Sequence, residues 1–145
     1  MNLFTAMEIA ASGLSAQRTR LNAVASNLAN ARTTQTPEGG PYKRMDTVFR
    51  AVPVESQFAD MLKGEENNRA LMVTVPEVRQ DRSPPQVVYE PGHPDANEDG
   101  FVEMPNVSVV EEMVNMITAS RSYEAGVTVM KSISGMARNA LKIGA

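Results

Sequence analysis

The sequence predicts a mainly α-helical protein in which two long terminal helices flank a small β-rich insert. Apolar and small residues recur every seven positions near both ends of the 145-residue chain, which is typical of helices that pack lengthwise against another helix. The middle third instead carries clustered Pro and Gly residues and short segments of alternating hydrophobicity. We therefore expect residues 1–31 and 106–145 to pair as an antiparallel coiled coil that forms the assembly domain, and residues 32–105 to form the insert.

The longer of the two helices is predicted for the C-terminal segment, residues 106–145. Pro105 ends the preceding segment, and Ser108 followed by Glu111 has the spacing of a capping box, in which each side chain satisfies a free backbone N–H. Two positions in each following heptad are apolar or small. The residues that we expect to form the packing seam of this helix are Met113, Ile117, Tyr123, Val127 and Met130.

The N-terminal segment from 1 to 31 predicts the second helix. Only Glu8, Arg18 and Arg20 are charged in this segment, whereas a helix with one face in water normally carries many Glu and Lys residues there. Its remaining positions are largely Ala, Ser and Gly, so we interpret the back of the helix as a second packing surface, covered by copies of the same chain. The seam residues that we expect on this helix are Met7, Leu14, Leu21, Val24 and Leu28.

The insert predicts a few short strands joined by loops. Tyr42–Val54 is strand-like, with Pro53 indicating an edge, and Leu71–Pro76 alternates with a period of two. Shorter strand-like segments follow at Gln86–Glu90 and Phe101–Met104. Residues 55–70 are typical of an exposed loop, in which Phe58–Leu62 could make one helical turn.

Two asparagines near the end of the N-terminal helix admit two interpretations. Asn27 and Asn30 lie in an otherwise small and apolar stretch, where asparagine has a poor helix propensity. They could terminate the helix, with Asn30 near its C-cap. Their amides could also form hydrogen bonds across a helix interface and fix its register, and the two interpretations are compatible. We include both residues in the candidate assembly interface.

Composition and charge exclude several functional classes. A net charge of -3 without a Lys/Arg cluster argues against nucleic-acid binding, and the absence of cysteine excludes disulfides and thiolate sites. No stretch reaches ~18 consecutive apolar residues, and the N-terminus lacks the features of a cleaved secretory signal. By these signals alone we would expect a cytoplasmic protein.

The candidate chemical motifs favour structural roles. Asp95, Asn97, Asp99 and Gly100 match the opening of a calcium loop, but Asn106 stands where the bidentate Glu belongs, so we favour a hairpin turn. His93 is the only histidine, and no nucleophile elbow accompanies it. The paired acids and scattered methionines form no recognisable site either. We therefore predict no enzymatic activity, no catalytic residue, no metal ligand and no cofactor.

Several motifs in order resemble one protein family. Ser12–Gln17 and Leu21–Ala31 are similar to the N-terminal signature of the bacterial flagellar rod and hook proteins. Within that family the proximal-rod class is the most similar, through the further motifs Gly40–Arg44, Val88–Pro94, Gly100–Val107 and Val110–Ala125. The chain departs from the family pattern at Gly126, where asparagine is usual, and at Arg32.

The resemblance implies a structural protein of the flagellar basal body. Such proteins leave the cell through the flagellar type III export apparatus without a cleaved signal, and they polymerise in the periplasm into a helical tube, the rod, which transmits motor torque. The resemblance replaces the cytoplasmic expectation with this location. It also implies contacts with copies of the same chain, with the rod proteins FlgB, FlgF and FlgG, and with the FliE adaptor near the inner-membrane ring.

Two other classes remain open from the residues themselves. A generic coiled-coil adaptor would share the heptad patterns, but it would form closed dimers rather than open filaments. A membrane-surface amphipathic helix would need basic residues flanking an apolar face, and the N-terminal helix has two arginines and one Phe.

Overall fold

The computed structural model describes residues 3–54 and 70–143. Its elements are helix α1 (Leu3–Ala29), strands β1 (Met45–Pro53), β2 (Leu71–Gln80), β3 (Gln86–Tyr89) and β4 (Phe101–Met104), and helix α2 (Val109–Ile143). Two long helices with a small antiparallel strand region between them confirm the predicted fold class at that level. The helical turn predicted at Phe58–Leu62 lies outside the described residues.

Helix α1 ends at Ala29 because the chain turns through a short series of local hydrogen bonds. The Asn30 backbone N–H donates to the Ser26 carbonyl at 3.0 Å, and the Asn30 side-chain amide donates to the same oxygen at 2.9 Å. The Thr33 N–H then donates to the Asn30 carbonyl at 3.0 Å, outside the helical pattern. The Asn30 side chain therefore adds a second hydrogen bond to a carbonyl that already accepts the last helical N–H, and this places Asn30 at the C-terminal end of the helix.

Helix α2 begins where Ser108 caps its first turn. The Ser108 hydroxyl oxygen accepts the Glu111 backbone N–H at 3.4 Å, and the Ser108 carbonyl accepts the Glu112 N–H at 3.0 Å. Glu111 and Glu112 both lie in the first turn, where negative charge complements the helix dipole. The start at Val109 is the one that the Ser108 cap predicts within the segment 106–145.

The strands form two small sheets. β1 pairs with β2, and β3 pairs antiparallel with β4 so that Tyr89 lies opposite Phe101 and Gln86 opposite Met104. Strand β2 continues to Gln80, past the end predicted at Pro76. A two-stranded sheet has only edge strands, so a proline can face outward there without removing a ladder hydrogen bond.

The turn between β3 and β4 is held by an asparagine side chain. Asn97 Oδ1 accepts the backbone N–H groups of Asp99 at 3.1 Å and Phe101 at 2.9 Å. Gly100 has φ +81°, and a Cβ added there would lie 2.9 Å from the Tyr89 ring. Only glycine therefore fits this corner without strain.

The described chain divides into two compact units, and each helix contributes a segment to both. Of the described residues, one unit contains 3–19, 49–54, 70–76 and 120–143, and its buried side chains include Ala16 and Ile133. The other contains residues 20–48 and 77–119. Its buried residues include Ala23, Val24, Asn27, Val102, Val107, Glu112 and Ala119.

The buried face of α2 follows a heptad pattern with a phase that differs from the predicted one. Glu112, Ala119 and Ile133 are buried, and Gly126 between them is partly buried, giving a series seven residues apart. The predicted series through Met113 is displaced by one residue. Tyr123 and Met130, which lie seven residues apart on another part of the predicted seam, are partly buried. The buried series contains a charged residue, an alanine and a glycine besides Ile133. A search for large apolar residues therefore selects the neighbouring positions instead.

Candidate assembly interface

The most distinctive feature of the structure is a buried carboxylate at the start of α2. Glu112 has no exposed surface. Its Oε1 accepts Nε of Arg44 at 2.9 Å and lies 2.9 Å from the same guanidinium's second nitrogen, while its Oε2 accepts the Asn27 amide at 2.9 Å. A buried charge is tolerated only when it is paired and its lone pairs are satisfied. Glu112 therefore joins α1, the segment before β1, and α2.

Asn27 uses all of its hydrogen-bonding capacity at this point. Its Nδ2 donates to Glu112 and to the Met45 carbonyl at 2.8 Å, and its Oδ1 accepts the Met45 N–H at 2.8 Å and the Tyr42 hydroxyl at 3.0 Å. The side chain carries two N–H donors and two acceptor lone pairs, so nothing is left unpaired. The Tyr42 hydroxyl also lies 3.1 Å from the Ser26 hydroxyl. We call Asn27, Tyr42, Arg44 and Glu112 the polar junction.

Arg44 supplies the positive charge of the polar junction. Burial alone would lower the pKa of its guanidinium, but the hydrogen bond and charge of Glu112, helped by Asp46 and Asp81, raise that pKa above its ordinary value. Arginine is already protonated at any accessible pH. Arg44 therefore keeps its positive charge with or without the pairing, and the contacts with Glu112 fix the position of its guanidinium.

A second polar contact joins the two helices close to the polar junction. Arg20 donates to the Asn115 side-chain oxygen at 3.2 Å. Asn27 contacts Glu112, and Arg20 contacts Asn115. Arg20 precedes Asn27 on α1, whereas Asn115 follows Glu112 on α2. The helices therefore run in opposite directions in the unit that contains these four residues.

In the unit that contains the start of α1, a glycine allows close approach of another helical segment. A Cβ added to Gly126 of α2 would lie 2.9 Å from Cδ2 of Leu14 and 3.3 Å from its Cγ. The glycine at position 126 thus makes room for the Leu14 side chain. In the same unit, the Ser12 hydroxyl donates to the Ile9 carbonyl at 2.8 Å and accepts the Val73 N–H at 3.1 Å.

The structure distributes the predicted interface residues over three environments. Asn27 joins the polar junction, and Asn30 instead makes local bonds, accepting the Thr33 hydroxyl at 3.2 Å in addition to its contact with Ser26. The buried members are Val24 and Asn27. The partly exposed members are Met7, Leu14, Leu21, Leu28, Asn30, Tyr123, Val127 and Met130, and the exposed ones are Met113 and Ile117.

Sequence reasoning missed three members of the polar junction. Glu112 is one of the paired acids that form no recognisable site in the sequence, and Tyr42 and Arg44 lie in the predicted strand-like segment Tyr42–Val54. One signal could have found Glu112, because it stands in heptad phase with Ala119 and Gly126. No local pattern marks Arg44 or Tyr42, since their partners are distant along the chain.

The motifs considered for chemistry have structural roles in the described part of the chain. Asn97 holds the turn before β4, and Asp95 accepts the Thr34 hydroxyl at 2.7 Å. His93 Nδ1 accepts the Asp95 N–H at 3.1 Å within the same loop. Across residues 3–54 and 70–143, no group of three or more His, Asp or Glu side chains is arranged to hold a metal ion.

Comparison with known proteins connects both helices to the flagellum. Residues 7–34 match the family described as Flagella basal body rod protein, and residues 98–143 match the one described as Flagellar basal body rod FlgEFG protein C-terminal. The flagellar basal-body rod protein FlgC of Borreliella burgdorferi is 42% identical over 99% of this chain and 98% of its own length. The FlgC proteins of Salmonella typhimurium and Bacillus subtilis are 40% and 38% identical, each over 99% of both chains.

The chain belongs to the FlgC family of flagellar basal-body rod proteins. It is a structural subunit of the rod and not an enzyme, as the resemblance implied. Its place in the basal-body rod corrects the cytoplasmic location that composition alone indicates. The two matched regions of this FlgC-family chain contain Asn27 and Glu112, and Arg44 lies between them. Among the described helices, neither is long and apolar enough to span a membrane.

Proposed function

We propose that this chain polymerises through its two helices into the helical tube of the proximal rod, which crosses the periplasm and transmits motor torque. In this proposal α1 and α2 pair as an antiparallel coiled coil and carry assembly, while the insert between residues 32 and 105 faces outward. The chain is exported by the flagellar type III apparatus. Its neighbours are further copies, the rod proteins FlgB, FlgF and FlgG, and the FliE adaptor.

The observation that carries the proposal is an exposed apolar face at the start of α2. Val110, Met113, Val114 and Ile117 are 72%, 54%, 59% and 55% exposed. Their spacing of three and four residues places them on one side of the helix, next to the exposed acid Glu111 and away from the buried Glu112 and Ala119. Contiguous apolar surface of this kind marks a protein interface in a soluble chain.

The polar junction supports a mechanical role. A rod that transmits torque needs rigid subunits, and the polar junction ties two helices to a strand through hydrogen bonds that satisfy every polar atom of Asn27. Losing one member of such a network is strongly destabilising, because its buried partners then lose their hydrogen bonds. The polar junction therefore favours one arrangement of the three segments.

The experiment that tests the proposal places a charge on the exposed face. Ile117→Asp should leave the subunit folded, because Ile117 is already exposed, but a buried carboxylate at an interface is strongly unfavourable. We expect cells that carry this variant as their sole copy to secrete the chain, to lack complete rods and to be non-motile. Ser132→Asp, at an exposed position further along the same helix, serves as the control and should swim. Normal rods with Ile117→Asp would contradict the proposal.

A further inference from the structure

The two helices carry matching exposed stripes with charges in the same order. On α1 the stripe consists of Glu8, Ala11, Ser15 and Arg18, and on α2 it consists of Glu111, Val114, Thr118 and Arg121. Both follow the spacing i, i+3, i+7, i+10, so each stripe lies on one side of its helix. All eight residues are exposed. We call them the α1 stripe and the α2 stripe.

The charges at the ends of the stripes have no ionic partners within the described part of the chain. The ion pairs there involve Arg44 with Glu112 and His93 with Asp95, and none involves Glu8, Arg18, Glu111 or Arg121. In each stripe the acidic and basic ends are ten residues apart, or about 15 Å at the rise of an α-helix. The two stripes thus present equal spans with an acid at the N-terminal end and a base at the C-terminal end.

We infer that the α1 stripe of one copy docks against the α2 stripe of a second copy, with the two helices antiparallel. In that register Glu8 faces Arg121 of the other copy, and Arg18 faces its Glu111. A parallel arrangement would instead place like charges together at both ends, which is unfavourable. Charge complementarity therefore fixes both the direction and the register of the contact. This inference rests on the proposed function, and it specifies one of the contacts between copies.

The residues between the charges are complementary in size. Ala11 and Ser15 make the middle of the α1 stripe smooth, whereas Val114 and the neighbouring Val110 and Ile117 make α2 bulky. Large side chains on one surface pack against small ones on the other, so α1 against α2 fits better than either stripe against itself. A contact between two different surfaces can repeat from copy to copy, and it builds an open filament when the rotation between copies does not close a ring.

Charge exchange between two chains tests the inference. The E8R chain and the R121E chain each place like charges at one end of the contact, and each should self-associate about tenfold more weakly than the unaltered chain. Mixed in equal amounts they should assemble again, because each can then pair its α1 stripe with the α2 stripe of the other variant. Light scattering after size-exclusion chromatography measures assembly, and circular dichroism verifies that each variant is folded.

Matched controls separate the register from the net charge. The exposed residues Lys131 and Glu38 lie outside both stripes, so K131E and E38R make the same changes in charge and should associate like the unaltered chain. Because the chain has no cysteine, S15C mixed with V114C should give a disulfide-linked dimer under mild oxidation, whereas N22C mixed with V114C should not. Asn22 is also exposed on α1.

Each outcome decides between the inference and the function on which it rests. Weak association of both reversed chains, with recovery on mixing, supports the docked stripes. If the unaltered chain assembles but a reversed chain assembles equally well, or the mixture fails to recover, the stripes are not the contact while the proposed function stands. If the unaltered chain does not self-associate at all, both the inference and the proposed polymerisation are wrong.

Discussion

At the scale of single residues, the protein depends most on a few buried polar side chains. Asn27 and Glu112 are fully buried. They form a hydrogen bond with each other, and each also forms hydrogen bonds with the segment at the start of β1. A hydrophobic core fixes the amount of buried surface, but a network with directional bonds also fixes which atoms meet. Two asparagines three residues apart at the end of the same helix thus have different roles: Asn27 bridges segments, and Asn30 ends the helix.

Asn27→Asp should be far more harmful than its small change in shape suggests. The substitution replaces the amide that donates to Glu112 with a carboxylate at the same 2.9 Å contact, so two buried negative charges meet. We expect the free energy of unfolding to fall by about 3 kcal/mol or more. Urea denaturation followed by circular dichroism measures the loss.

The matched control for this substitution is Asn22→Asp on the exposed side of the same helix. It makes the same chemical change where water solvates the charge, and the free energy of unfolding should change by less than about 0.5 kcal/mol. Equal losses at positions 22 and 27 would show that the effect comes from helix propensity or net charge, and the importance assigned to the polar junction would be wrong.

At the scale of elements, helix approach depends on where a side chain is missing. Gly126 and Gly135 lie on the same helix, but a Cβ at position 126 would lie 2.9 Å from Leu14, whereas one at position 135 would meet nothing within 4 Å. Alanine is the better helix former by about 1 kcal/mol. The two glycines therefore differ in the contacts that a Cβ would make, although their cost to helix stability is the same.

A double-mutant cycle measures this difference. Gly135→Ala should stabilise the chain by about 0.5–1 kcal/mol, whereas Gly126→Ala should gain less because the new Cβ displaces Leu14. In a Leu14→Ala background the full gain at position 126 should return. Thermal unfolding of the four chains gives the coupling energy between positions 14 and 126. Equal gains at positions 126 and 135 in the unaltered background would exclude the close approach.

The sequence is most informative about the helices and strands themselves. The apolar periodicity of both helices repeats over many turns and therefore predicts them, and the capping chemistry of Ser108 predicts the start of α2. The phase of the buried face was less accessible, since Glu112, Ala119 and Gly126 are not large apolar residues. Strand β2 extended beyond the predicted Pro76 because a two-stranded sheet tolerates proline at its edges.

The candidate site was less predictable from the sequence than the helices. The sequence placed Asn27 in a helix interface but left helix termination open beside that role, and it gave no reason to bring Tyr42 and Arg44 to it. Those contacts join residues 15 to 85 positions apart, and only the folded chain defines them. The exposed positions of Met113 and Ile117 are informative in another way, since a seam residue that is not buried within the chain is available to a second copy.

At the scale of the whole molecule, the described helices present apolar and charged surface that residues 3–54 and 70–143 leave exposed. Val110, Val114 and Ile117 are exposed on α2, and the α1 stripe is exposed at heptad-like spacing. A subunit with two different surfaces that bind each other forms open polymers when the rotation between copies does not close a ring. Exposed apolar surface is unfavourable in a monomer because water contacts it. In a rod, neighbouring copies would cover it.

Sedimentation velocity of the purified chain over a wide range of concentrations tests the central claim most directly. If unlike helix surfaces of successive copies bind each other, the weight-average sedimentation coefficient should rise continuously with concentration, without a plateau at a dimer, and should fall as salt screens the charged ends of the contact. A compact monomer or a closed dimer that keeps a constant sedimentation coefficient at every concentration would contradict the account.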